Sequence, residues 1–335
     1  MADKAYFDQL ASYGIQLNDE QREAVRHVAG PLVVFAGPGS GKTTVLTCRA
    51  AYLLQEARIP ASQLLIVTFT RAAAEEMQSR LAALPGISAP MVRAAEIGTF
   101  HSVFMRMLVQ QSGGRVPQLL EDNEQRNIVR RLLREQGRDG DDEEVADALQ
   151  KIGLCKNNLI LPERIKASKP ENQQFREIYQ GYEQAKSEND RWDYDDILVR
   201  CYYLLRSNPD LLEHYRNKFR YVLVDEFQDT NLAQYEVVKM LGGHGNVCIV
   251  GDDDQSIYRF RGSQVEFLLD FDKTFPDARK VILATNYRST DPVIDTASRL
   301  ILHNRKRQSK QIRGTERAGD KPELLRPEGE RDEAE

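Results

Sequence analysis

With 335 residues, 41% of them apolar and 29% charged, the chain is long enough for about two or three lobes with a sizeable core, and no apolar run reaches the roughly 18 residues that would span a bilayer. This composition excludes disorder throughout, and the opening MADKAYFDQLASYGIQLNDE lacks the basic-then-apolar order of a secretory signal, so a globular, cytoplasmic protein without a membrane partner is expected. A net charge of −5 offers no bulk attraction to nucleic acid, and Cys48, Cys155, Cys201 and Cys248 are too scattered for a zinc or iron–sulfur motif.

In chain order, PLVVFAG from Pro31 is a short apolar run that ends in glycine and is followed by the helix-like TTVLTCRAAYLLQEA. LLIVTFT (Leu64 to Thr70) and RAAAEEMQSRLAAL repeat the arrangement, and such alternation predicts a parallel sheet covered by helices. From about Val103 to Arg191 the sequence is polar, helix-prone and nearly free of β-branched runs, which predicts a helical insertion. Strand-like runs return at YVLVDE (Tyr221 to Glu226), NVCIVGD (Asn246 to Asp252) and KVILATN (Lys280 to Asn286), each apolar enough to be buried on both faces. The basic stretch NRKRQSKQIR, Asn304 to Arg313, reads as a solvated helix end in preference to a phosphate contact, and from Gly314 the charged, apolar-poor remainder is expected to be frayed or to await further structure.

Three segments carry chemistry. Ala36, Gly37, Pro38, Gly39, Ser40, Gly41, Lys42, Thr43 and Thr44 form AGPGSGKTT between the first strand and its helix. Here the glycines let backbone N–H groups face phosphate oxygens at a helix N-terminus, while Lys42 reaches the β/γ-phosphates and Thr43 ligates Mg²⁺. A P-loop needs an acidic group at the end of a neighbouring strand, and VDEFQDT supplies Asp225 for the metal shell and Glu226 to orient and deprotonate water. The third segment, GDDDQSIYRFRGS, offers Gln255 as a γ-phosphate sensor and Tyr258, Phe260 and Arg261 for stacking and phosphate contacts with a single strand, although a polar turn with core aromatics explains Tyr258 or Phe260 equally well.

In order, LNDEQREAV, AGPGSGKTT, TFTRAAAEEM, GTFHS, WDYDDIL, VDEFQDTN, GDDDQSIYRFRGS and TNYRS resemble the motifs of UvrD/Rep-type superfamily 1 DNA helicases, and they cover most of the chain. The resemblance implies an α/β P-loop NTPase of the RecA-like kind, a parallel sheet flanked by helices with an inserted all-helical subdomain. It implies ATP and Mg²⁺ as cofactors and single-stranded DNA or DNA junctions as partners, with 3′-to-5′ movement. It further implies that Gln21 reads the adenine edge, Tyr287 stacks on adenine and Arg288 approaches the γ-phosphate, while Phe69, Thr70, His101, Tyr258 and Arg261 line the strand's path. Phe69 ends an apolar run and equally reads as core; Trp192, in WDYDDIL, reads as a core anchor. Phe260 departs from the family's usual Trp, which leaves a smaller stacking face and no N–H donor.

Four segments are expected: a first lobe over 1–108, a helical insertion over 109–190, the return of the first lobe over 191–285, and the start of a second RecA-like lobe over 286–335. The family's later motifs have no counterpart before Glu335, so the chain is expected to be an amino-terminal portion that lacks its carboxy-terminal lobe. The competing reading is a shortened, ATP-binding DNA-interaction module that does not unwind. A P-loop kinase or nucleotide switch is disfavoured by TFTRAAAEEM, GDDDQSIYRFRGS and TNYRS.

Overall fold

The computed structural model describes residues 2–166 and 168–323. Its first half contains helices α1 (Ala2–Ser12) and α2 (Asp19–Arg26), strand β1 (Leu32–Ala36), α3 (Lys42–Gln55), β2 (Leu64–Thr68), α4 (Arg71–Ala82), α5 (Ala89–Ala94), β3 (Glu96–Thr99) and α6 (Phe100–Gln111). Then come β4 (Gln118–Leu119), α7 (Asp122–Glu135), α8 (Asp142–Asn157), α9 (Pro170–Glu188), β5 (Arg191–Trp192), α10 (Tyr194–Ser207) and α11 (Pro209–Lys218). The chain re-enters the sheet with β6 (Tyr221–Val224), α12 (Leu232–Leu241), β7 (Val247–Gly251), α13 (Glu266–Leu269), α14 (Phe271–Thr274), β8 (Arg279–Leu283) and α15 (Asp291–Ile301).

Among the described residues the main sheet has six strands in the order β3-β2-β6-β7-β1-β8, every pairing parallel. Alternate residues divide it between two cores: Leu32, Val34 and Ala36 join α1 to α4 on one face, and Val33 and Phe35 join α6, α10 and α12 on the other. This is why β1, β2, β6 and β7 read as continuous apolar runs. β8 departs from that expectation, because it pairs only with β1 and leaves Arg279 and Lys280 exposed. Its charged start belongs to an edge.

The polar stretch between β3 and β6 packs its own small core, with Val129, Leu133, Val145, Ile152, Ile178 and Tyr182 from α7, α8 and α9. It is not wholly helical, since β4 and β5 pair at its neck. A buried ion network fastens these helices to α10. Lys156 donates to Asp193 (2.5 Å) and Asp196 (2.7 Å), Lys186 donates to the same two carboxylates at 2.8 and 2.6 Å, and Glu183 lies within 2.9 Å of both amines. Asp193 and Asp196 also form a capping box on α10, each accepting the other's backbone N–H at 2.9 Å. Burial opposes ionisation of Asp193, yet the two ammonium groups outweigh it and hold the carboxyl well below the usual carboxylate range. Trp192 is half-buried beside this network, with the Arg200 guanidinium 4.4 Å from its ring centre.

The carboxy-terminal basic stretch is exposed at Asn304, Arg305, Lys306, Ser309, Gln311 and Arg313, as a solvated stretch would be, but it is not a helix end. α15 stops at Ile301, and the chain beyond it returns to the sheet, where Arg313 bridges Thr285 and Lys310 is buried. Residues 314–323 lie mostly exposed along Thr290 and Asp291, whose backbone N–H donates to the Arg317 carbonyl at 3.0 Å. The fraying expected for 324–335 falls outside the described residues.

Removing one partner of a buried ion network strands the others without counter-ions. Lys156→Met is therefore expected to destabilise the protein by about 3–5 kcal/mol, measured by urea unfolding with fluorescence of Trp192, the single tryptophan, as the probe. A loss below about 1 kcal/mol, the range of exposed pairs, would show that the network does not hold the helices in place.

Candidate functional site

The turn from β1 into α3 forms a cradle. Gly39 and Gly41 adopt φ of +64° and +82°, which favour glycine, and the helix begins at Lys42. A Cβ on Gly39 would sit 2.7 Å from Asn286 Oδ1 and 2.8 Å from Arg288 Cβ, so the TNYRS segment lies directly on the cradle. The Tyr287 N–H donates to the Gly39 carbonyl at 3.0 Å, and Asn286 Oδ1 accepts from the N–H groups of Arg288 and Ser289 at 2.8 and 2.9 Å. The Ser40 hydroxyl is buried and has no partner among the described residues. A cradle of this shape with an unsatisfied buried hydroxyl and a helix N-terminus fits a phosphate group.

Across the cradle stands the turn after β6. Lys42 Nζ lies 2.5 Å from Glu226 Oε2. Glu226 has φ +49° and ψ +42°, a left-handed conformation unusual for a residue with a side chain, and its N–H donates to Asp225 Oδ1 at 3.0 Å. Gln228 Nε2 donates to Glu226 Oε2 at 3.0 Å. Burial pushes the Asp225 carboxyl up to about 6, with the Glu226 charge adding to the effect and Lys42 opposing it. Asp229 is pushed up to about 6 by burial and by Glu226 in the same order.

β6 is not the immediate neighbour of β1, as the sequence reading supposed; β7 runs between them. The turn after β7 consequently sits between the cradle and the acidic turn. There Gln255 Nε2 donates to Asp252 Oδ2 at 2.7 Å, and the Asp252 N–H donates to Gln228 Oε1 at 3.0 Å.

On the other flank, Gln21 is buried and already satisfied. Its Oε1 accepts the Asn18 N–H at 3.0 Å in the capping box of α2, and its Nε2 donates to the Ser40 carbonyl at 2.9 Å. Tyr287 is 45% exposed, and its hydroxyl accepts from Asn18 Nδ2 at 3.0 Å, leaving a ring face open. Arg288 is exposed, with its backbone on the cradle and its side chain free of ion pairs among the described residues.

A groove of about 1500 Å³ is lined by Thr43, Asp225 and Glu226, by Phe69, Thr70 and His101, by Tyr258, Phe260 and Arg261, and by Gly153 and Asn157 of α8. Tyr258 and Phe260 are 39% and 54% exposed, and the Arg261 guanidinium lies 5.4 and 5.5 Å from their ring centres. They present stacking faces and are not core. Phe69 has both characters, since it packs edge-on against Phe100 with ring centres 5.5 Å apart while it lines the groove. Burial lowers the His101 imidazole to about 4, its Nε2 has no partner among the described residues, and Tyr194 stacks on it with ring centres 4.1 Å apart. Tyr194, Asn18, Asn286 and Gln228 were not singled out from the sequence. Tyr194 follows the Asp193 cap, so its outward position was signalled by Asp-Tyr-Asp-Asp; the other three depend on long-range neighbours.

A glycine-bearing turn on the second-from-edge strand, opposite an acidic turn at the same edge of an all-parallel sheet, makes this a P-loop NTPase fold. Residues 17–276 match the UvrD/REP helicase N-terminal domain, and the chain belongs to that family. It is 41% identical over 96% of its length to YjcD of Bacillus subtilis, provisionally named as an ATP-dependent DNA helicase. It is 38% identical over 95% of its length to ATP-dependent DNA helicase PcrA of Staphylococcus epidermidis and 37% identical, over the same share, to PcrA of Staphylococcus aureus. The match covers 43–44% of each relative, so the chain spans less than half their length.

The Asp225 shift has a consequence for stability. Its folded pKa is raised, so ionisation costs the folded state at high pH and the cost is relieved as pH falls from about 6 toward about 4. Asp225→Asn keeps an acceptor for the Glu226 N–H and is expected to raise the melting temperature of the nucleotide-free protein at about pH 8, with the gain shrinking toward about pH 5. A melting difference independent of pH would show that the carboxyl is not held near 6.

Proposed function

We propose that this chain is the ATP-binding portion of a DNA helicase or translocase that moves 3′ to 5′ on single-stranded DNA or at DNA junctions. The single observation that carries the reading is that one groove is lined both by Thr43, Asp225 and Glu226, the last paired with Lys42, and by the exposed rings of Tyr258 and Phe260. The names of the two PcrA relatives support it.

In this reading the cradle from Ala36 to Thr44 holds the ATP phosphates, and Lys42 leaves Glu226 to neutralise the β/γ-phosphates. Glu226, relieved of its cation, then orients and deprotonates the attacking water. A Mg²⁺ ion, when bound, neutralises phosphate charge, and Thr43 and Asp225 are the residues to hold it. Tyr287 offers its open face to adenine, Gln21 fixes the base pocket from behind, and Arg288 and Gln255 respond to the γ-phosphate. Phe69, Thr70, His101, Tyr258, Phe260 and Arg261 grip the strand. The groove carries acidic as well as basic side chains, so stacking is the larger part of that grip. Residues 1–108 and 191–285 act as the first lobe, 109–190 as an insertion that walls the groove, and 286–335 as the start of a second lobe.

Lys42→Ala is expected to weaken ATP binding about 100-fold, the loss of one charge-assisted contact of about 3 kcal/mol; unchanged affinity in a titration would remove the cradle from nucleotide binding. Glu226→Gln is expected to retain binding and lower turnover by about 10² to 10⁴-fold, and equal turnover would remove Glu226 from the base role. The decisive comparison is steady-state hydrolysis with and without single-stranded DNA, by this chain and by a form extended through the second lobe. DNA-stimulated turnover by the extended form supports the motor. ATP binding by both forms with no response to DNA in either would instead favour a nucleotide-controlled interaction module.

A further inference from the structure

The segment after α15 reaches back to the candidate nucleotide site with an unusual concentration of charge. Lys310 has no exposed side-chain surface, and its ammonium donates to Asp252 Oδ1 and Asp253 Oδ1 at 2.6 Å each and lies 3.2 Å from Asp254 Oδ2. Those three carboxylates match the three protons of an ammonium group. Arg307 forks onto both oxygens of Asp254 at 2.8 and 2.6 Å, and the Gln308 N–H donates to Asp253 Oδ2 at 2.7 Å. An apolar plug would fasten this segment at a smaller desolvation cost. It would not hold Asp252 by its oxygen.

Asp252 is a branch point. One carboxylate oxygen takes Lys310; the other takes Gln255 at 2.7 Å, while the backbone N–H donates to Gln228 Oε1 at 3.0 Å. Gln228 in turn donates to Glu226 Oε2 at 3.0 Å, the oxygen that Lys42 holds at 2.5 Å. Gly251 leaves room for this approach, because a Cβ there would sit 2.8 Å from Gln228 Oε1. An unbroken run of polar contacts therefore joins Lys310 to the P-loop lysine. Lys306, on the same segment, is different: it pairs with Glu266 at 3.2 Å, its own side chain largely in solvent and that of Glu266 half-buried.

We propose that Lys310 is a positioning residue for ATP hydrolysis, which clamps Asp252 and thereby sets Gln255 and, through Gln228, the carboxylate of Glu226. The proposal rests on the reading of Glu226 as the base. It assigns to a residue beyond the matched family region, 17–276, control over the geometry of the acidic turn.

The test compares Lys310→Met, Lys310→Arg and Lys306→Met. Amide hydrogen exchange and ATP affinity are measured on this chain, and the kcat and KM for ATP on the extended form. With Lys310→Met, exchange across residues 226–229 and 252–256 is expected to accelerate about tenfold or more and kcat to fall about 10- to 100-fold, the scale of an ångström-level misplacement. ATP affinity and KM stay within about twofold, because the ammonium of Lys310 bonds to Asp252 and Asp253 and not to the cradle, and Ile312 keeps its place against Gly37. Lys306→Met behaves as the parent. If Lys310→Met fails to fold, Lys310→Arg decides, since it keeps the charge but moves the cation off Asp252 and is expected to show the same selective loss. Parental exchange and kcat in a folded Lys310 variant, or faster exchange spread evenly over the chain, would overturn the proposal. A parent that binds ATP without hydrolysing it would instead sink the base reading, and unaltered exchange at 226–229 would sink the positioning alone.

Discussion

An all-parallel sheet imposes one constraint from which the arrangement of this protein follows. Every strand must run in the same sense, so every strand ends at the same edge, and each following turn opens there. Ala36, Thr68, Thr99, Val224 and Gly251 end five of the six strands, and the turn after each contributes to the cradle or the groove. Covering both faces with helices is the cost of this arrangement, because a parallel sheet tolerates little water on either side. The edge is then the one place where polar side chains from distant parts of the sequence gather without burying the backbone.

Within that edge, order matters as much as direction. With β7 between β1 and β6, the turn that carries Asp252 and Gln255 stands between the glycine-rich turn and the acidic turn. Gln228 spans the gap, bonded to Asp252 on one side and Glu226 on the other. The left-handed backbone of Glu226 belongs to the same arrangement, since strain of this kind persists only where the surroundings hold it. The buried carboxyl of Asp225 and the half-buried one of Asp229, both pushed toward neutrality, are a second local cost at this site.

Much of the fold was legible because its signals are local. Buried parallel strands show as runs such as LLIVTF, and a glycine-rich turn before a helix shows as AGPGSGKTT. What escaped depends on partners far along the chain. Nothing in KRQSK announces that Lys310 meets Asp252 across 58 positions, and a basic stretch beside charged sequence reads as solvated when its counter-ions are out of view. The same blindness put β6 next to β1, because strand order is a tertiary fact. It also missed the two-residue strands at the neck of the insertion, which are shorter than any periodicity. Among the candidate site residues, Lys42 pairs with Glu226 and the rings of Tyr258 and Phe260 are exposed, whereas Gln21 has both ends of its amide engaged by the protein itself.

The stretch from Asn286 to Arg313 is shaped like a stirrup. Its two feet stand side by side, the Asn286 N–H bonded to the Arg313 carbonyl at 2.7 Å and the Arg313 N–H to Ala284 at 2.8 Å, and α15 forms the tread. One foot is pinned to the glycine-rich turn through Tyr287 and Gly39, the other presses Ile312 against Gly37. Both feet therefore bear on the same few residues of the glycine-rich turn, one on Gly39 and the other on Gly37, while Leu300 of α15 stands 73% exposed.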